Sequence, residues 1–252
     1  MAVLTFKFDE SYKEKRSFMV GGWIANDHQW KRLQKRWQKA IAYENRTLGP
    51  DRQISRYHAA QMNANDGEFT GWEKEANRKL RLVRKLLKFV SSPAMTCVAC
   101  GIDLKAMVEI FPTADESDAY VLCMKEIMVE IAHAMDDAKS EDRVAIIHDH
   151  GDWDEGALRG YNSLVDDPTW PRRHRFVSIT PLTWREDVGL QSADLIAYEL
   201  MRRLDDTLWT GRDMRKALET MLGMKASIYS HWIDKRGLEA IKELEDKRKG
   251  VA

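Results

Sequence analysis

The 252-residue chain has few of the features that mark secreted or membrane proteins. It contains three cysteines, and an odd, small number in a chain of this length argues against a disulfide framework and for a reducing compartment. No apolar run approaches the roughly 20 residues that span a bilayer, and the first residues lack the basic and apolar regions of a signal peptide. We therefore expect a cytoplasmic protein with no membrane partner.

The chain also lacks net charge, but its charges are unevenly distributed. Residues 29–89 contain 15 Lys and Arg against 6 Asp and Glu, whereas residues 102–167 contain 5 against 17. Such a separation is typical of a surface that binds a polyanion beside a metal site. It is equally typical of two exposed helical faces of opposite sign that attract each other. The composition leaves both interpretations open.

Several familiar site motifs are missing. The chain has no glycine-rich phosphate loop of the G-x-x-x-x-G-K-S type, and its serines lack the nucleophile-elbow context. Cys97 and Cys100 have C-x-x-C spacing, but no second pair and no nearby histidine accompany them. On a strand these two side chains would face opposite sides, so we interpret both as core residues.

Residues 3–11 are the stretch around which the rest is organised. Apolar residues alternate at Leu4, Phe6 and Phe8, which predicts a strand with one face on a core, and two carboxylates follow at Asp9 and Glu10. Ligands of α/β sheets collect where strands end. The sequence therefore places acidic side chains at a position that water and cations can reach.

The remaining pattern alternates strands and helices. Residues 17–25 predict a second strand that forms a hairpin with the first, and Gly21-Gly22 suggests a bulge or a close backbone approach. Asn26-Asp27 supplies an N-cap for the first helix. Further strands are expected at 94–102, 143–148 and 175–180, and helices at 28–43, 70–90, 115–137, 155–164, 190–204 and through 213–249.

Three acids from separate elements are each expected at the end of a strand or at the start of a helix. Asp9 is expected to end the first strand, Asp149 follows the strand at 143–148, and Asp194 lies in the first turn predicted for the late helix. Gathered carboxylates repel one another unless a hard dication such as Mg²⁺ or Mn²⁺ lies among them. Two such ions, ~3.5–4 Å apart, can activate water and stabilise the leaving oxygen of a phosphodiester. Glu10 joins only if the strand has ended or bulged, because neighbouring strand residues face opposite sides.

Each of these residues also has a plainer interpretation. Asp9 and Glu10 could solvate a hairpin turn, Asp194 could be a carboxylate favoured by the helix dipole, and Gln191 could cap that helix. His58 could be an ordinary loop histidine. Asp149 has alternatives close by in the chain, any of which could be the ligand: His148, His150, Asp152 and Asp154. The tryptophan and arginines of the loop at 170–175 could stack on bases or simply form a surface loop.

Three short motifs occur in a recognisable order: Asp-Glu-Ser at 9–11, Tyr57-His58-Ala59, and Leu-Gln-Ser-Ala-Asp-Leu-Ile-Ala at 190–197. Together they resemble the domain of unknown function 3800 family, which is grouped with the ribonuclease H-like fold. The resemblance runs from about residue 4 to residue 204. It implies a mixed sheet flanked by helices and a metal-dependent nuclease-type site at Asp9, Asp149 and Asp194, with Gln191 one helical turn before Asp194.

The sequence departs from that family pattern in two places. The third antiparallel strand, which should follow the hairpin directly, is replaced by a helix. An acid in the first long helix, which a ribonuclease H uses as a ligand, has no clear counterpart. Both departures put the number of metal ions and the cleavage activity in question.

We therefore expect an α/β, ribonuclease H-like domain of about five strands at residues 1–206, with 207–252 as a helical C-terminal extension of the same domain. The expected catalytic residues are Asp9, Glu10, Asp149, Asp194, Gln191 and His58, and all four acids are expected to bind Mg²⁺ or Mn²⁺.

The expected activity is hydrolysis of nucleic-acid phosphodiester bonds, in RNA or DNA, with the basic helices at 31–39 and 78–88 contacting phosphate. The resemblance also suggests a setting in phage or mobile-element defence. Two alternatives stay open: a non-catalytic member that acts by binding protein or nucleic acid, and a metal-dependent phosphatase or nucleotide hydrolase. A partner protein or a homo-oligomer is compatible with all three.

Overall fold

A computed structural model describes residues 2–224, 227–248 and 250. The strands are β1 (Val3–Lys13), β2 (Ser17–Asn26), β3 (Thr96–Asp103), β4 (Arg143–Asp149), β5 (Phe176–Leu182) and β6 (Ser227–Ile233). The helices are α1 (Asp27–Asn45), α2 (Ala59–Ala64), α3 (Ala76–Val90), α4 (Leu104–Ile110), α5 (Glu116–Asp137), α6 (Asp154–Val165), α7 (Leu190–Asp205), α8 (Lys216–Leu222) and α9 (Lys235–Arg248).

The strands form one mixed sheet in the order β5-β4-β1-β2-β3-β6. β1, β2 and β3 pair antiparallel in sequence order, while β4 and β5 add parallel strands on the other side of β1. Helices cover both faces, and the expected α/β class, a mixed sheet flanked by helices, is thereby confirmed. The expectation that a helix replaces the third antiparallel strand is wrong. β3 pairs with β2 as that strand should, and α1 to α3 are inserted in the connection.

Each face of the sheet carries its own hydrophobic core. α1, α3 and α7 pack on one face, and α4, α5, α6 and α9 pack on the other. Along β1, Phe6 and Phe8 belong to the core on the α5 side, so the period-two alternation turns Lys7 and Asp9 to the α7 side. Cys97 and Cys100 lie in opposite cores as expected, and both are free thiols.

The N-cap predicted at Asn26 is confirmed, and a second helix begins with a local cap that the sequence analysis did not identify. The Asn26 side chain accepts a hydrogen bond of 3.0 Å from the backbone N–H of Gln29 and so caps α1. Asp115 and Asp118 form a capping box at the start of α5. Both caps are contacts between residues three positions apart, so they need no tertiary contact.

Two boundaries differ from the expectation. The helix expected from residue 70 begins at Ala76, because Gly71 adopts a left-handed φ of +84° and breaks the helical path. Trp72 is still buried, packed edge-on against Phe69 with ring centroids 5.1 Å apart. Residues 213–249 are not helical throughout, because Ser227–Ile233 forms β6 as a sixth strand paired parallel to β3.

The basic and acidic segments lie on opposite sides of the sheet. α1 and α3 pack against each other on the α7 side, whereas α5 and α6 cover the other face. The interpretation of two mutually attracting helical faces is therefore wrong, because the sheet separates them. Across the described residues, no helix combines the length and the apolarity that a bilayer crossing requires.

Candidate active site

A cleft opens where β1 continues beyond its parallel neighbour. Pairing of β1 with β4 stops at Phe8 and His148, but pairing with β2 continues to Lys13 and Ser17. The cleft has a volume of about 280 Å³. All six residues that the sequence singled out as catalytic line it: Asp9, Glu10, His58, Asp149, Gln191 and Asp194.

Asp9 reaches the cleft because α7 packs directly on the middle of the sheet. Gly21 is the partner of Asp9 on β2, and a Cβ built on Gly21 would lie 3.2 Å from the Ala99 Cβ and 3.5 Å from the Ala197 Cα. Glycine thus permits the close approach that brings Asp194, one helical turn before Ala197, to the side of the sheet that Asp9 faces. The register of β1 and β2 runs through Gly21 without a bulge, so close approach is the correct one of the two interpretations.

Glu10 enters the cleft by a route that the sequence did not reveal. The expectation that Asp9 and Glu10 end the first strand is wrong, because β1 continues to Lys13. Glu10 nevertheless lines the cleft, since the pairing of β1 with β4 ends at Phe8 and β4 no longer covers this edge of β1. Burial, and then the charge of Asp149, raise the pKa of Glu10 to about 8.

Asp149 is the member of the acidic and histidine cluster at 148–154 that lines the cleft. His148 points to the α5 side and stacks on Phe8 with ring centroids 5.7 Å apart. Asp154 lies 3.6 Å from the Nδ1 atom of His148 and 2.5 Å from that of His150. The Oδ1 atom of Asp149 is buried without a hydrogen-bond partner, and burial raises the pKa of this carboxyl.

Asp194 lies in the second turn of α7 rather than the first, because the helix begins at Leu190. Its Oδ2 atom accepts a 2.8 Å hydrogen bond from the Ala59 backbone N–H and lies 3.9 Å from the Nδ1 atom of His58. Burial raises the pKa of Asp194 to about 7. His58 stands at the N-cap position of α2, and its Nδ1 atom is buried without a hydrogen-bond partner.

Gln191 holds the cleft wall together. Its side-chain oxygen accepts two hydrogen bonds of 2.9 Å, one from the Trp37 indole N–H and one from the Tyr57 backbone N–H. The interpretation of Gln191 as a helix cap is wrong, because these donors belong to α1 and to the segment before α2. Gln191 therefore positions the Tyr57-His58 segment against α7.

Among the four buried acids outside the cleft in the described part of the chain, Asp206 accepts a hydrogen bond from the Thr210 hydroxyl, and the other three are neutralised by arginines. The buried carboxylates of Glu44, Glu199 and Asp205 each have a guanidinium nitrogen 3.0 Å away. This is the usual way in which a protein compensates a buried charge.

The acids of the cleft have no such partner. Among the side chains described, those of residues 2–224, 227–247 and 250, no Lys or Arg nitrogen lies within 4.0 Å of a side-chain oxygen of Asp9, Glu10, Asp149 or Asp194. Lys7, two residues before Asp9 on the same side of β1, pairs instead with Asp187 at 2.5 Å. Burial, and then repulsion from the other three acids, raise the pKa of Asp9 well above its ordinary value.

The donor set fits a hard dication in its chemistry. Carboxylate oxygens are preferred by Mg²⁺ and Mn²⁺, and the buried, unpartnered Oδ1 atom of Asp149 is an available ligand. Over the part of the chain that the structure describes, no three His, Cys, Asp or Glu side chains already stand as a ligand set around one point. Binding of an ion would therefore need rotation of these side chains toward it.

Arg56 and Trp184 also line the cleft, and sequence reasoning missed both. The Arg56 guanidinium lies 4.8 Å from the centroid of the Trp184 ring, and its charge lowers the pKa of Asp149 and of Asp194 against the larger effect of burial. Arg56 directly precedes the Tyr57-His58-Ala59 motif, and Trp184 follows the end of β5. Their positions beside a site motif and after a predicted strand were the sequence features that could have indicated a place in the cleft.

The tryptophan and arginine loop that the sequence did single out has other contacts. Arg172 and Arg175 both pair with Asp136 at the end of α5, and Trp170 stacks on Phe176 at the start of β5. The cleft lies beyond the opposite end of β5. Of the two interpretations, the structure supports a surface loop.

No protein-family model matches the chain, and no curated protein matches it. Solved structures with a similar overall fold include Bst-RNase HIII in complex with Mn²⁺, with a TM-score of 0.43 and 11% identity over 81% of this chain. This chain spans about half (54%) of that protein's length. The RNase HII of a PCNA complex from Archaeoglobus fulgidus has a TM-score of 0.43 and 13% identity, covering 88% of this chain and 87% of that one. A mutant of Bst-RNase HIII has a TM-score of 0.43 and 10% identity, with coverages of 89% and 70%.

Proposed function

We propose that the chain is a metal-dependent nuclease that hydrolyses phosphodiester bonds of nucleic acid at this cleft. One observation carries the proposal: four acids line one cleft with no described Lys or Arg nitrogen within 4.0 Å of their side-chain oxygens, while three of the four buried acids elsewhere in the described part of the chain are paired with arginine. Leaving charges buried and uncompensated is costly. A bound dication would compensate them, and it would draw the carboxylates together.

Each lining residue has a role in this proposal. Asp9, Asp149 and Asp194 would hold Mg²⁺ or Mn²⁺, with Glu10 approaching from the other side of the sheet. The ion would supply Lewis-acid stabilisation of a phosphoryl oxygen and a water of lowered pKa. His58, with its unpartnered Nδ1 atom, would accept a proton from the attacking water, and Arg56 would contact the phosphate.

A polymeric substrate is favoured by the basic surface on one side of the sheet. The exposed basic residues of α1, which include Lys31, Arg32 and Lys35, lie on the same side of the sheet as α7. A basic surface of this kind attracts the phosphate backbone of a nucleic acid. Membership of the domain of unknown function 3800 family, and with it a role in phage or mobile-element defence, rests on the three sequence motifs alone.

We treat 1–206 and 207–252 as parts of one domain, because β6 pairs with β3 within the same sheet.

Cleavage assays with a panel of labelled substrates test the proposal. Single- and double-stranded RNA and DNA are incubated with Mn²⁺ or Mg²⁺, beside a panel of free nucleotides. We expect polymer cleavage that EDTA stops, and that Asp9→Asn and Asp194→Asn each reduce by at least about 100-fold, as removal of an electrostatic catalytic group does. Asp136→Asn, in a surface carboxylate outside the cleft, is the matched control and should retain full activity.

Three results would contradict the proposal. Activity retained in both cleft variants would remove the mechanism. Hydrolysis of nucleotides without cleavage of polymers would indicate a phosphatase or nucleotide hydrolase. A well-folded chain that takes up no metal and cleaves nothing would indicate a non-catalytic binding protein.

A further inference from the structure

A second cavity lies directly beside the acidic cleft, and Trp184 lines both. This cavity has a volume of about 420 Å³. Its walls come from α1, from the segment before α2 and from the loop after β5, with Ile41, Ile54, Ser55, Trp184 and Arg185 among the lining residues. We call it the side pocket.

Trp184 presents an aromatic ring with two cations next to it. The Arg56 guanidinium lies 4.8 Å from the ring centroid and the Arg185 guanidinium 4.5 Å from it. Arg56 lines the acidic cleft, whereas Arg185 lines the side pocket and is exposed. The ring therefore stands between the two cavities, with a phosphate-binding group on each side of the boundary.

The loop that carries Trp184 is held in place by an ion pair with β1 and by hydrogen bonds within the loop. Asp187 pairs with the buried Lys7 of β1 at 2.5 Å and accepts a 2.8 Å hydrogen bond from the Gly189 backbone N–H. At the start of the loop, Glu186 accepts a 2.8 Å hydrogen bond from the Thr183 backbone N–H. A platform fixed in this way loses little conformational entropy when a ligand stacks on it.

We propose that the side pocket receives one unpaired nucleobase of a single-stranded nucleic acid, RNA or DNA, whose adjoining phosphate enters the acidic cleft. The base takes the place of the exposed Arg185 guanidinium over the Trp184 ring, and the guanidinium groups of Arg56 and Arg185 contact the phosphates on either side of the base. A base within a duplex is held by its partner and its stacked neighbours, so it does not enter. The assignment of the phosphate to the cleft rests on the proposed function, and it narrows the substrate class to single strands.

Binding without catalysis tests this inference. The full chain carrying Asp9→Asn and Asp194→Asn is titrated in EDTA with fluorescently labelled oligonucleotides, and anisotropy is recorded. The probes are a single-stranded RNA, a single-stranded DNA, the same strands with an abasic site at every position, and a DNA duplex of equal length. The protein variants in this background are Trp184→Leu, Trp184→Phe and, as a control, Trp209→Leu.

Trp209 is a matched control because it is a partly exposed tryptophan with the Arg16 guanidinium 5.7 Å from its ring centroid, and it lines neither cavity. We expect Trp184→Leu to weaken binding of at least one single-stranded probe by about 5- to 150-fold, which corresponds to the ~1–3 kcal/mol of one base–aromatic stack. Trp184→Phe should recover most of that loss, and Trp209→Leu should bind as the background does. The probe that responds identifies the polymer.

Three results would overturn the inference: equal single-strand affinity with and without the Trp184 ring, an equal loss for the duplex, or an equal affinity for normal and abasic strands. The abasic comparison needs no change at Trp184, so it decides the matter even if Trp184→Leu fails to fold. Because no metal or cleavage enters these titrations, a failure of the proposed function leaves their outcome unaffected, and the reverse also holds.

Discussion

The substitution Asp194→Asn should stabilise the metal-free protein at alkaline pH, contrary to the usual effect of changing a buried polar residue. Burial raises the pKa of Asp194 from 3.8 to about 7, so between these values the folded chain binds more protons at this site than the unfolded chain. The contribution of Asp194 to the free energy of unfolding is therefore fully present below pH 3.8 and is lost as the pH rises through about 7. Asparagine cannot ionise, and its side-chain oxygen can still accept the hydrogen bond from Ala59.

The size of the effect follows from the same pKa. The side chain of Asp194 is 18% exposed, so screening by solvent is limited. The gap between 3.8 and about 7, at about 1.4 kcal/mol per pH unit, gives an upper limit of about 4 kcal/mol at pH 8. At pH 4 the difference between the native chain and Asp194→Asn should vanish.

Urea denaturation in EDTA at pH 4 and at pH 8 measures this effect. We expect Asp194→Asn to exceed the native chain in free energy of unfolding at pH 8, and Mn²⁺ to reverse the order because only the native site gains from binding. Asp136→Asn is a control that should lower, rather than raise, the free energy of unfolding at pH 8. Arg172 and Arg175 lower the pKa of Asp136, so its contribution to stability is present at pH 8 and is lost as the pH falls through the lowered pKa. A native chain and an Asp194→Asn chain with the same stability at pH 8 in EDTA would refute the reasoning.

Two further substitutions test how the walls of the cleft are held. Gln191→Ala should lower the free energy of unfolding by about 2–5 kcal/mol, because the buried N–H groups of Trp37 and Tyr57 lose their acceptor; an unchanged denaturation midpoint would contradict the positioning role. Lys7→Met should cost about 3–5 kcal/mol, since it leaves Asp187 without its cation. It should also weaken single-strand binding, and intact binding in the anisotropy assay would show that this ion pair does not hold the loop.

The elements that sequence alone predicted well are those with local signals. The cap at Asn26 fixes the start of α1 through a contact three residues away. The apolar run before Asp149 predicted β4 in the same way. In contrast, β6 is an edge strand in which one of seven side chains is buried, so it shows no continuous apolar run by which the strand could be found.

The candidate site was predictable in its residue types and only partly in its geometry. The alternation of side chains along β1 turns Asp9 to the side of the sheet on which Asp194 lies. The same alternation turns Glu10 to the opposite side, so it argued against a place for Glu10 in the cleft. Whether Glu10 reaches the cleft depends on where β4 stops pairing, and that is a property of two strands far apart in sequence. Arg56 and Trp184 meet only in the folded chain, so no spacing in the sequence could have paired them.

A calorimetric titration of the folded chain with Mn²⁺, at pH 8 and at pH 6, tests whether the four acids of the cleft bind a dication. Binding should be present in the native chain and lost in Asp9→Asn. It should weaken at pH 6, because protons compete at Glu10 and Asp194, whose pKa values are about 8 and about 7. Uptake that is absent from the native chain, or unchanged in Asp9→Asn, would contradict the claim that these acids are held together by a dication.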